Sequence, residues 1–441
     1  MSFDKAFQAA ATFASPPDLE EFRRRIDPEW IDQALSATGT ATVRRRRLPA
    51  EHVIWVVLGM ALFRDRPLED VVSKLDLALP GAGTVARSSI AQARARVGSE
   101  PVKWLFQRSA SKWAHESAEA HMWRGLRVYG IDGSWVRVPN TDENREEFGG
   151  HISSHGESGY PMARIVVLMA LRSHLLAAAN VSRYEGIHEF ECAKPLRDSI
   201  PESSLTVLDR LYLSASFLMG IQSKTDRHWL VRAKTNTKFN VIKKLGRGDD
   251  LVEMKVSAVA REKDPSLPTT WSARRIRYQI PGFREQFLLT SLDDHKRFPA
   301  RETAKLYHER WELEMGYDEI KTEMLEREEA IRSKKPDGVR QELWGVLLAY
   351  NLVRLEMQSI AKEERIEPTR ISFIESLRLI RTEWDWLSVT SPGAIPKRLA
   401  TLRRNVKRYI LPPRRKRSYP RATKLHSTRN NWKKAAANDL K

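Results

Sequence analysis

The sequence predicts an α/β protein: a mixed-sheet core, preceded by an all-helical segment and interrupted by a β-rich insertion. Three observations predict it. Up to about residue 118, apolar residues recur at three- and four-residue intervals, as on the buried stripes of helices. From Gly125 the pattern changes to short β-branched or apolar runs punctuated by turn residues, with helical stretches returning among them. Between Lys234 and about Thr290, alternating strands follow one another without an intervening helix, which marks a β-rich insertion.

The helical segment, residues 1–118, is read in "LEEFRRRIDPEWIDQALSATG" and "AEHVIWVVLGMALFRDRPLEDVVSKL", with Pro49 at a first helical turn and Pro67 opening the next element. Between these stretches lie four consecutive arginines, Arg44, Arg45, Arg46 and Arg47. Further on, "SSIAQARARVG" offers Ser88 or Ser89 as N-cap and Gly98 as the stop of a short helix bearing Gln92, Arg94 and Arg96. Gln and Arg near a helix N-terminus match adenine and guanine edges in the major groove. A helix-turn-helix-like unit that reads DNA is one expectation; a helical bundle whose arginines merely face water is the other.

The core begins in residues 119–234, whose strands are "LRVYGID", "GSWVRVP", "ARIVVLMALR", "HLLAAANV", "SLTVLD" and "HWLVRAK". Residues 235–290 are the insertion, with "LVEMKVSA", "TWSARRIRYQI" and "EQFLLTS". The core resumes in residues 291–385, which include the long helix "GVRQELWGVLLAYNLVRLEMQSIAKEE" just after "SKKPD". Residues 386–441 read as an extended basic arm: from Lys397 onward sixteen Lys or Arg face one acid, Asp439, and prolines interrupt any periodicity. Within it, Arg414, Arg415, Lys416 and Arg417 form the densest run.

Charge narrows the partners. The 441 residues hold 75 Lys and Arg against 56 Asp and Glu, a formal net charge of +19, which points to a polyanion such as nucleic acid. The arm carries most of that excess, so it is expected to contact phosphates and release counterions. The single cysteine, Cys192, excludes a disulfide framework and a multi-cysteine zinc site, fits a reducing cytosol, and is read as structural. The N-terminus shows no signal-peptide pattern, and the charge-free run Val53–Phe63 is shorter than the about 20 residues a bilayer span needs.

Two strand ends carry an acid. Asp132 closes "RVYGID" and Asp209 closes "SLTVLD", where side chains of an α/β sheet line the ligand crevice. Taken singly, each reads first as a turn former. A third stretch, "YHERWELEMGYDEIK", changes the balance. On a uniform helix turning about 100° per residue, Tyr307, Arg310, Glu314 and Lys321 fall within roughly 60° of one another. Glu309, Glu312, Asp318 and Glu319 lie at other angles and are expected to face solvent. One acid, two cations and a tyrosine on a shared face suit a metal ion beside a phosphate backbone.

With Tyr307, Arg310, Glu314 and Lys321 spaced Y-x2-R-x3-E-x6-K, the chain resembles the DDE transposases of the insertion-sequence-four family. "LRVYGIDGS" with Asp132, "LTVLDRLYLS" with Asp209 and Arg210, "RSKKPDGVRQELWGVLLAYNLVR" and the N-terminal "TGTATVRRRRLPAEHVIWVVLGMAL" are similar too, so the resemblance covers nearly the whole chain. It implies a ribonuclease-H-like core interrupted by a β insertion between the second and third acids, with Asp132, Asp209 and Glu314 as the catalytic and metal-binding triad. The separation of 105 residues from Asp209 to Glu314 leaves room for that insertion. Members that form hairpins place a tryptophan in the insertion to hold a flipped base. Here Gln286 and Phe287 occupy the similar stretch, and Phe287 and Trp271 are the base-stacking candidates.

Three carboxylates leave room for waters and phosphate oxygens around Mg²⁺, with Mn²⁺ as its substitute. The expected function is cut-and-paste transposition of a bacterial insertion sequence. The enzyme would bind terminal inverted repeats, cleave them by metal-dependent phosphodiester hydrolysis, and join 3′ ends to target DNA. No nucleotide cofactor is implied, a homodimer on DNA is expected, and the nucleoid in the cytoplasm is the expected location. The competing readings are a non-catalytic DNA-binding regulator derived from such an enzyme and a structure-specific nuclease.

Overall fold

The computed structural model describes residues 25–41, 48–75, 85–153, 156–157, 159–279, 285–325, 331–387, 401 and 404–412. Arg44 to Arg47, and Arg414, Arg415, Lys416 and Arg417, lie outside the described residues.

The N-terminal helices are α1 (Pro28–Ala37), α2 (Ala50–Leu62), α3 (Leu68–Lys74), α4 (Arg87–Val97) and α5 (Glu100–Ala120). α2 is apolar all round and buried along almost its whole length, as a helix enclosed by others must be. α4 starts one turn ahead of the expected caps: Ala86 precedes it without a side-chain bond, and Gly98, at φ 71°, ends it as expected. Ser88 and Ser89 therefore lie inside its first turn.

Then come β1 (Arg127–Arg137), α6 (Asp142–Phe148), a two-residue hairpin, β2 (Met162–Ala170), β3 (Leu176–Arg183), α7 (Glu189–Ala193), β4 (Ser204–Leu208), α8 (Ala215–Gln222) and β5 (Arg227–Arg232). The insertion contributes β6 (Asn240–Gly246), β7 (Asp249–Lys255), α9 (Ala258–Lys263), β8 (Thr270–Tyr278) and β9 (Gln286–Thr290), so it holds a short helix where none was expected, started by Ser257, whose side chain accepts from the Ala260 amide. The chain continues through α10 (Ala300–Tyr307), α11 (Trp311–Asp318), α12 (Pro336–Glu364) and α13 (Phe373–Leu387).

All nine of these strands join one sheet in the order β3-β2-β1-β4-β5-β9-β8-β7-β6. β1, β4 and β5 run parallel, and every other pairing is antiparallel. The insertion is thus no separate lobe: β9 returns antiparallel to β5 and continues the core sheet through its four strands. α12 runs through the hydrophobic core, with twenty of its 29 residues buried, and packs against α2 and α5. At Gly345 an added Cβ would come within 2.4 Å of Val57, so glycine allows the close approach of α12 and α2. The same helix pair is tied by charge, because Arg64 donates to the buried Glu342 at 2.9 Å. Among the described residues no helix is long and apolar enough to cross a membrane.

Candidate active site

The apolar runs "VYGI" and "SLTVL" become adjacent buried parallel strands, in which Ile131 pairs with Leu208. The next residue of each run is an aspartate, so Asp132 and Asp209 stand side by side where β4 stops and β1 continues, paired on its other edge with β2. Asp132 Oδ1 accepts from the Gly133 amide at 3.0 Å. Burial first, then the neighbouring Glu189 and, less strongly, Asp209, push its pKa up to about 7 against the opposing Gly133 amide and Arg310. Asp209 accepts from the Leu211 amide and caps the 3₁₀ turn Arg210–Tyr212, so it is the turn former its sequence suggested as well as a strand-end acid. Arg210 is exposed beside it.

The stretch bearing the third acid is not one uniform helix. α10 ends at Tyr307, a 3₁₀ turn spans His308–Arg310, α11 carries Glu314, and a π-helical turn spans Glu319–Met324. Overwinding before α11 and underwinding after it act in opposite senses. Lys321 accordingly still reaches β1, with Nζ 3.2 Å from Ser134 Oγ and 4.9 Å from the Trp135 ring centre. Arg310 donates to Glu314 Oε1 at 2.8 Å. Tyr307 is buried, and burial holds its phenol protonated, with Arg310, Tyr278 and Asp209 among its charged or polar neighbours. Tyr317, one turn beyond Glu314, donates to the carbonyl oxygen of Asp132 at 2.7 Å.

Three of the four acids expected at the surface are turned inward. Glu309 pairs with Arg172 at 2.8 Å, Glu312 with His174 at 2.7 Å, and Glu319 with Arg354, His174 and Tyr350, whose hydroxyl is 2.8 Å away. Only Asp318 is exposed. The reason is packing: this segment is covered by the sheet on one side and by α12 and α13 on the other, so its flanks are interior.

The structure brings Asp132, Asp209, Glu314, Tyr307, Arg310 and Lys321 to the middle of β1 and the end of β4; Asp132 does not close its strand as expected, because "RVYGID" and "GSWVRVP" form one strand that β2 pairs as far as Arg137. It does not bring the two base-stacking candidates there. Tyr278 pairs with Gln286 across β8 and β9, and side chains alternate faces, so Trp271 and Phe287 project from the opposite face. Trp271 packs on Trp229 with ring centres 5.6 Å apart, and Phe287 packs against Phe239 and the Arg275 guanidinium. Tyr278 instead lies against His308, ring centres 6.0 Å apart, on the side of Tyr307. Gln92 and Arg96 are exposed on α4, whereas Arg94 is turned inward, donating to Gln341 and Ser333, each at 2.9 Å. Arg94 therefore joins α4 to the α12 region instead of presenting its guanidinium to a groove.

Sequence reasoning missed Glu189, Tyr317 and Tyr278. Glu189 opens a five-residue helix and carries no spacing signal, and neither Tyr317 nor Tyr278 belongs to a motif in the sequence. Each of the four carboxylates has one oxygen held by a protein donor: Gly133 N for Asp132, Leu211 N for Asp209, Arg310 for Glu314, and Tyr212 for Glu189. The other oxygen of each has no hydrogen-bond donor among the described residues. Such an all-oxygen set suits a hard divalent cation. In this arrangement the side chains surround the strand ends without closing on a point; among the described residues no three His, Cys, Asp or Glu are gathered tightly enough to hold an ion.

Comparison with known proteins adds the following. Residues 16–107 match the family described as insertion element 4 transposase N-terminal, and residues 123–352 match the transposase DDE domain. The transposase InsG for insertion sequence element IS4, from Escherichia coli (strain K12), is 40% identical over 402 residues, covering 90% of each chain. InsZ of the same strain is 38% identical over 232 residues, 52% of this chain and 76% of its own length. A solved piggyBac transposase synaptic complex with hairpin DNA aligns over 92% of this chain and 88% of that one. Its TM-score of 0.42 at 12% identity is too loose a likeness to weigh.

Proposed function

Since the chain belongs to the insertion-sequence-four DDE transposases and is a bacterial insertion-sequence transposase, we propose that it moves its element by cut-and-paste, with Asp132, Asp209 and Glu314 as the acids that carry the cleavage. Membership implies DNA as partner and dependence on a divalent metal ion; Mg²⁺, with Mn²⁺ as substitute, is our assignment from the oxygen-only donor set. The observation that supports this reading best is the register of β1 and β4, which sets Asp132 and Asp209 side by side, together with the Tyr317 bond that fixes the helix of Glu314 to the same strand.

When bound, divalent ions would activate the attacking water or 3′-hydroxyl and stabilise the leaving oxygen. The chain's own residues do the rest. Asp132, Asp209 and Glu314 would offer the carboxylate oxygens that no protein donor occupies. Arg310 is paired with Glu314 in the absence of DNA; a scissile phosphate would take the guanidinium and free both oxygens of Glu314 for the ion. Lys321, held over Trp135 beside Ser134, would neutralise a second phosphate. Tyr278 replaces Phe287 and Trp271 as the aromatic that would meet a displaced base, because it shares a face with Tyr307.

The proposed division of labour follows the chain. Residues 1–118 read terminal repeats, with Gln92 and Arg96 facing outward; 119–234 and 291–385 cut; 235–290 hold the transposon end; 386–441 contact phosphates. Two ends must meet in one complex, so a homodimer assembled on DNA is proposed, in the bacterial cytoplasm at the nucleoid, with no nucleotide cofactor. The test is a labelled duplex ending in the element's inverted repeat, incubated with MgCl₂ and joined to a target plasmid. Nicking at the repeat boundary and 3′-end joining are expected; nicking that ignores the repeat would favour a structure-specific nuclease.

A further inference from the structure

Glu189 belongs to the acid site by geometry, although no spacing in the sequence marks it. Its Oε1 accepts from the buried Tyr212 hydroxyl at 2.8 Å, which anchors the carboxylate from the turn that follows Asp209. Its Oε2 has no hydrogen-bond donor among the described residues, and the nearest cation, Arg164 Nη1, is 4.0 Å away. The side chain is 19% exposed, so water does little to satisfy that oxygen.

The carboxylate lies against the bare Cα of Gly133. A Cβ there would come 2.4 Å from Glu189 Cγ and Cδ and 2.6 Å from Oε2, so any side chain at residue 133 would displace it. Gly133 follows Asp132, and strand side chains alternate, so Glu189 approaches β1 from the face opposite Asp132. At this level β1 has lost β4 as a neighbour, since their pairing ends at Ile131 and Leu208. That strand edge is open to both faces, with Asp132 on one side, Glu189 on the other and Asp209 at the end of β4.

We propose that Glu189 is a fourth metal-binding carboxylate of this site, offering Oε2 to a divalent cation shared with Asp132 and Asp209 at the open edge of β1. The proposal rests on the metal-dependent cleavage proposed above. Tyr212 is then a positioning residue that aims the carboxylate, and Gly133 is glycine because a side chain would close the approach.

The test uses the full chain and Mn²⁺ as probe, free Mn²⁺ being read by electron paramagnetic resonance alongside the Mg²⁺ midpoint for nicking a terminal-repeat duplex. Glu189→Gln keeps an acceptor for Tyr212 but removes the charge. It should weaken Mn²⁺ binding and raise the Mg²⁺ midpoint by about tenfold or more, the scale on which even indirect partners of a metal act. Tyr212→Phe should shift both in the same direction by less, with folding of each metal-free variant checked by melting. Wild-type Mn²⁺ binding by Glu189→Gln, with binding lost in Asp132→Asn, would overturn the role of Glu189 alone. Wild-type Mn²⁺ binding by Asp132→Asn as well would overturn the acid-site reading itself. Should Glu189→Gln fail to fold, Glu189→Asp, which withdraws the carboxylate by one methylene and keeps its charge, takes its place: weakened Mn²⁺ binding supports the role and unchanged binding removes it.

Discussion

Tyr317 donates its hydroxyl to the main-chain carbonyl of Asp132 at 2.7 Å and lies 3.1 Å from that of Ile165. The first acid and the helix of the third are thus joined by one buried bond, though 182 residues separate Asp132 from Glu314. Tyr317→Phe keeps the ring and removes the bond. It should cost about 1–2 kcal/mol in chemical denaturation, the range for a lost buried hydrogen bond. Nicking should slow by more than this loss explains, with DNA affinity unchanged. A nicking rate equal to wild type would show that the bond stabilises without positioning.

The triad variants Asp132→Asn, Asp209→Asn and Glu314→Gln should each abolish terminal-repeat cleavage and leave DNA binding nearly intact, because a long DNA interface would make many phosphate contacts elsewhere. Full cleavage by any one of them in Mg²⁺, with folding checked by circular dichroism, would remove that residue from the triad.

Asp132 also makes a pH prediction. Its pKa is pushed up to about 7 from an ordinary 3.8, chiefly by burial and then by Glu189. The metal-free folded protein therefore binds this proton more tightly than the unfolded chain. This contribution to stability falls as pH rises from about 4 to about 7, then levels off. Asp132→Asn removes the effect. In excess chelator, it should raise the melting temperature most above pH 7, with the gain vanishing near pH 4. A gain independent of pH would mean that Asp132 does not titrate in this way.

Much of this was legible in the sequence, because the signals were local. The β4 run ends in its acid, Gly98 ends α4, and the apolar run of α2 is a buried helix, whereas β1 runs on through Asp132 because β2 pairs with it as far as Arg137. What was not legible depends on packing. A uniform 100° per residue cannot show a 3₁₀ turn at His308–Arg310 or a π turn at Glu319–Met324, and it assigned Glu309, Glu312 and Glu319 to solvent although Arg172, His174 and Arg354 come to them from distant segments. Arg94 looked like a base reader for the same reason: its partners, Gln341 and Ser333, lie more than two hundred residues away. Phe287 was nominated by its place in a stretch, whereas the face it occupies is fixed by pairing with β8.

The buried network behind the site yields a stability prediction. Arg354 meets Glu319, His174 and Tyr350 in the interior, and Glu319 opens the π turn that carries Lys321. Arg354→Met leaves a buried carboxylate without its main partner, which should cost about 3–5 kcal/mol in denaturant unfolding. Burial alone would raise the pKa of Glu319, but Arg354 and then His174 bring it down to about 2. The stability from this lowered pKa is present above about 4.5 and lost as pH falls toward 2, so the wild type should lose stability over that window more than Glu319→Gln does. Equal acid sensitivity in the two proteins would place the acid transition elsewhere.

The last prediction separates the side chains around Glu314. Arg310 is bonded to the acid itself, and Lys321 is held over Trp135 beside Ser134, two residues beyond Asp132 on the same face of β1. On the proposed function both cations would meet the scissile phosphate. A charge-assisted hydrogen bond contributes about 1.5–3 kcal/mol, so losing one should slow first-strand nicking by about tenfold to a hundredfold. Arg310→Ala and Lys321→Ala should each show this loss with little change in overall affinity. Tyr278 differs, because it lies off the acid line against His308 and shares the Tyr307 side of the sheet. Extruding a terminal base costs a few kcal/mol that stacking must offset, so Tyr278→Ala should spare nicking and slow release of the second strand. Phe287→Ala and Trp271→Ala, on the opposite face, should lower the stability of the insertion and leave the ratio of the two strand cleavages unchanged. A terminal-repeat duplex labelled on each strand and followed with time on a denaturing gel reads both steps. If Phe287→Ala or Trp271→Ala alters that ratio while Tyr278→Ala does not, the base contact lies on the other face of the insertion and the assignment to Tyr278 is wrong.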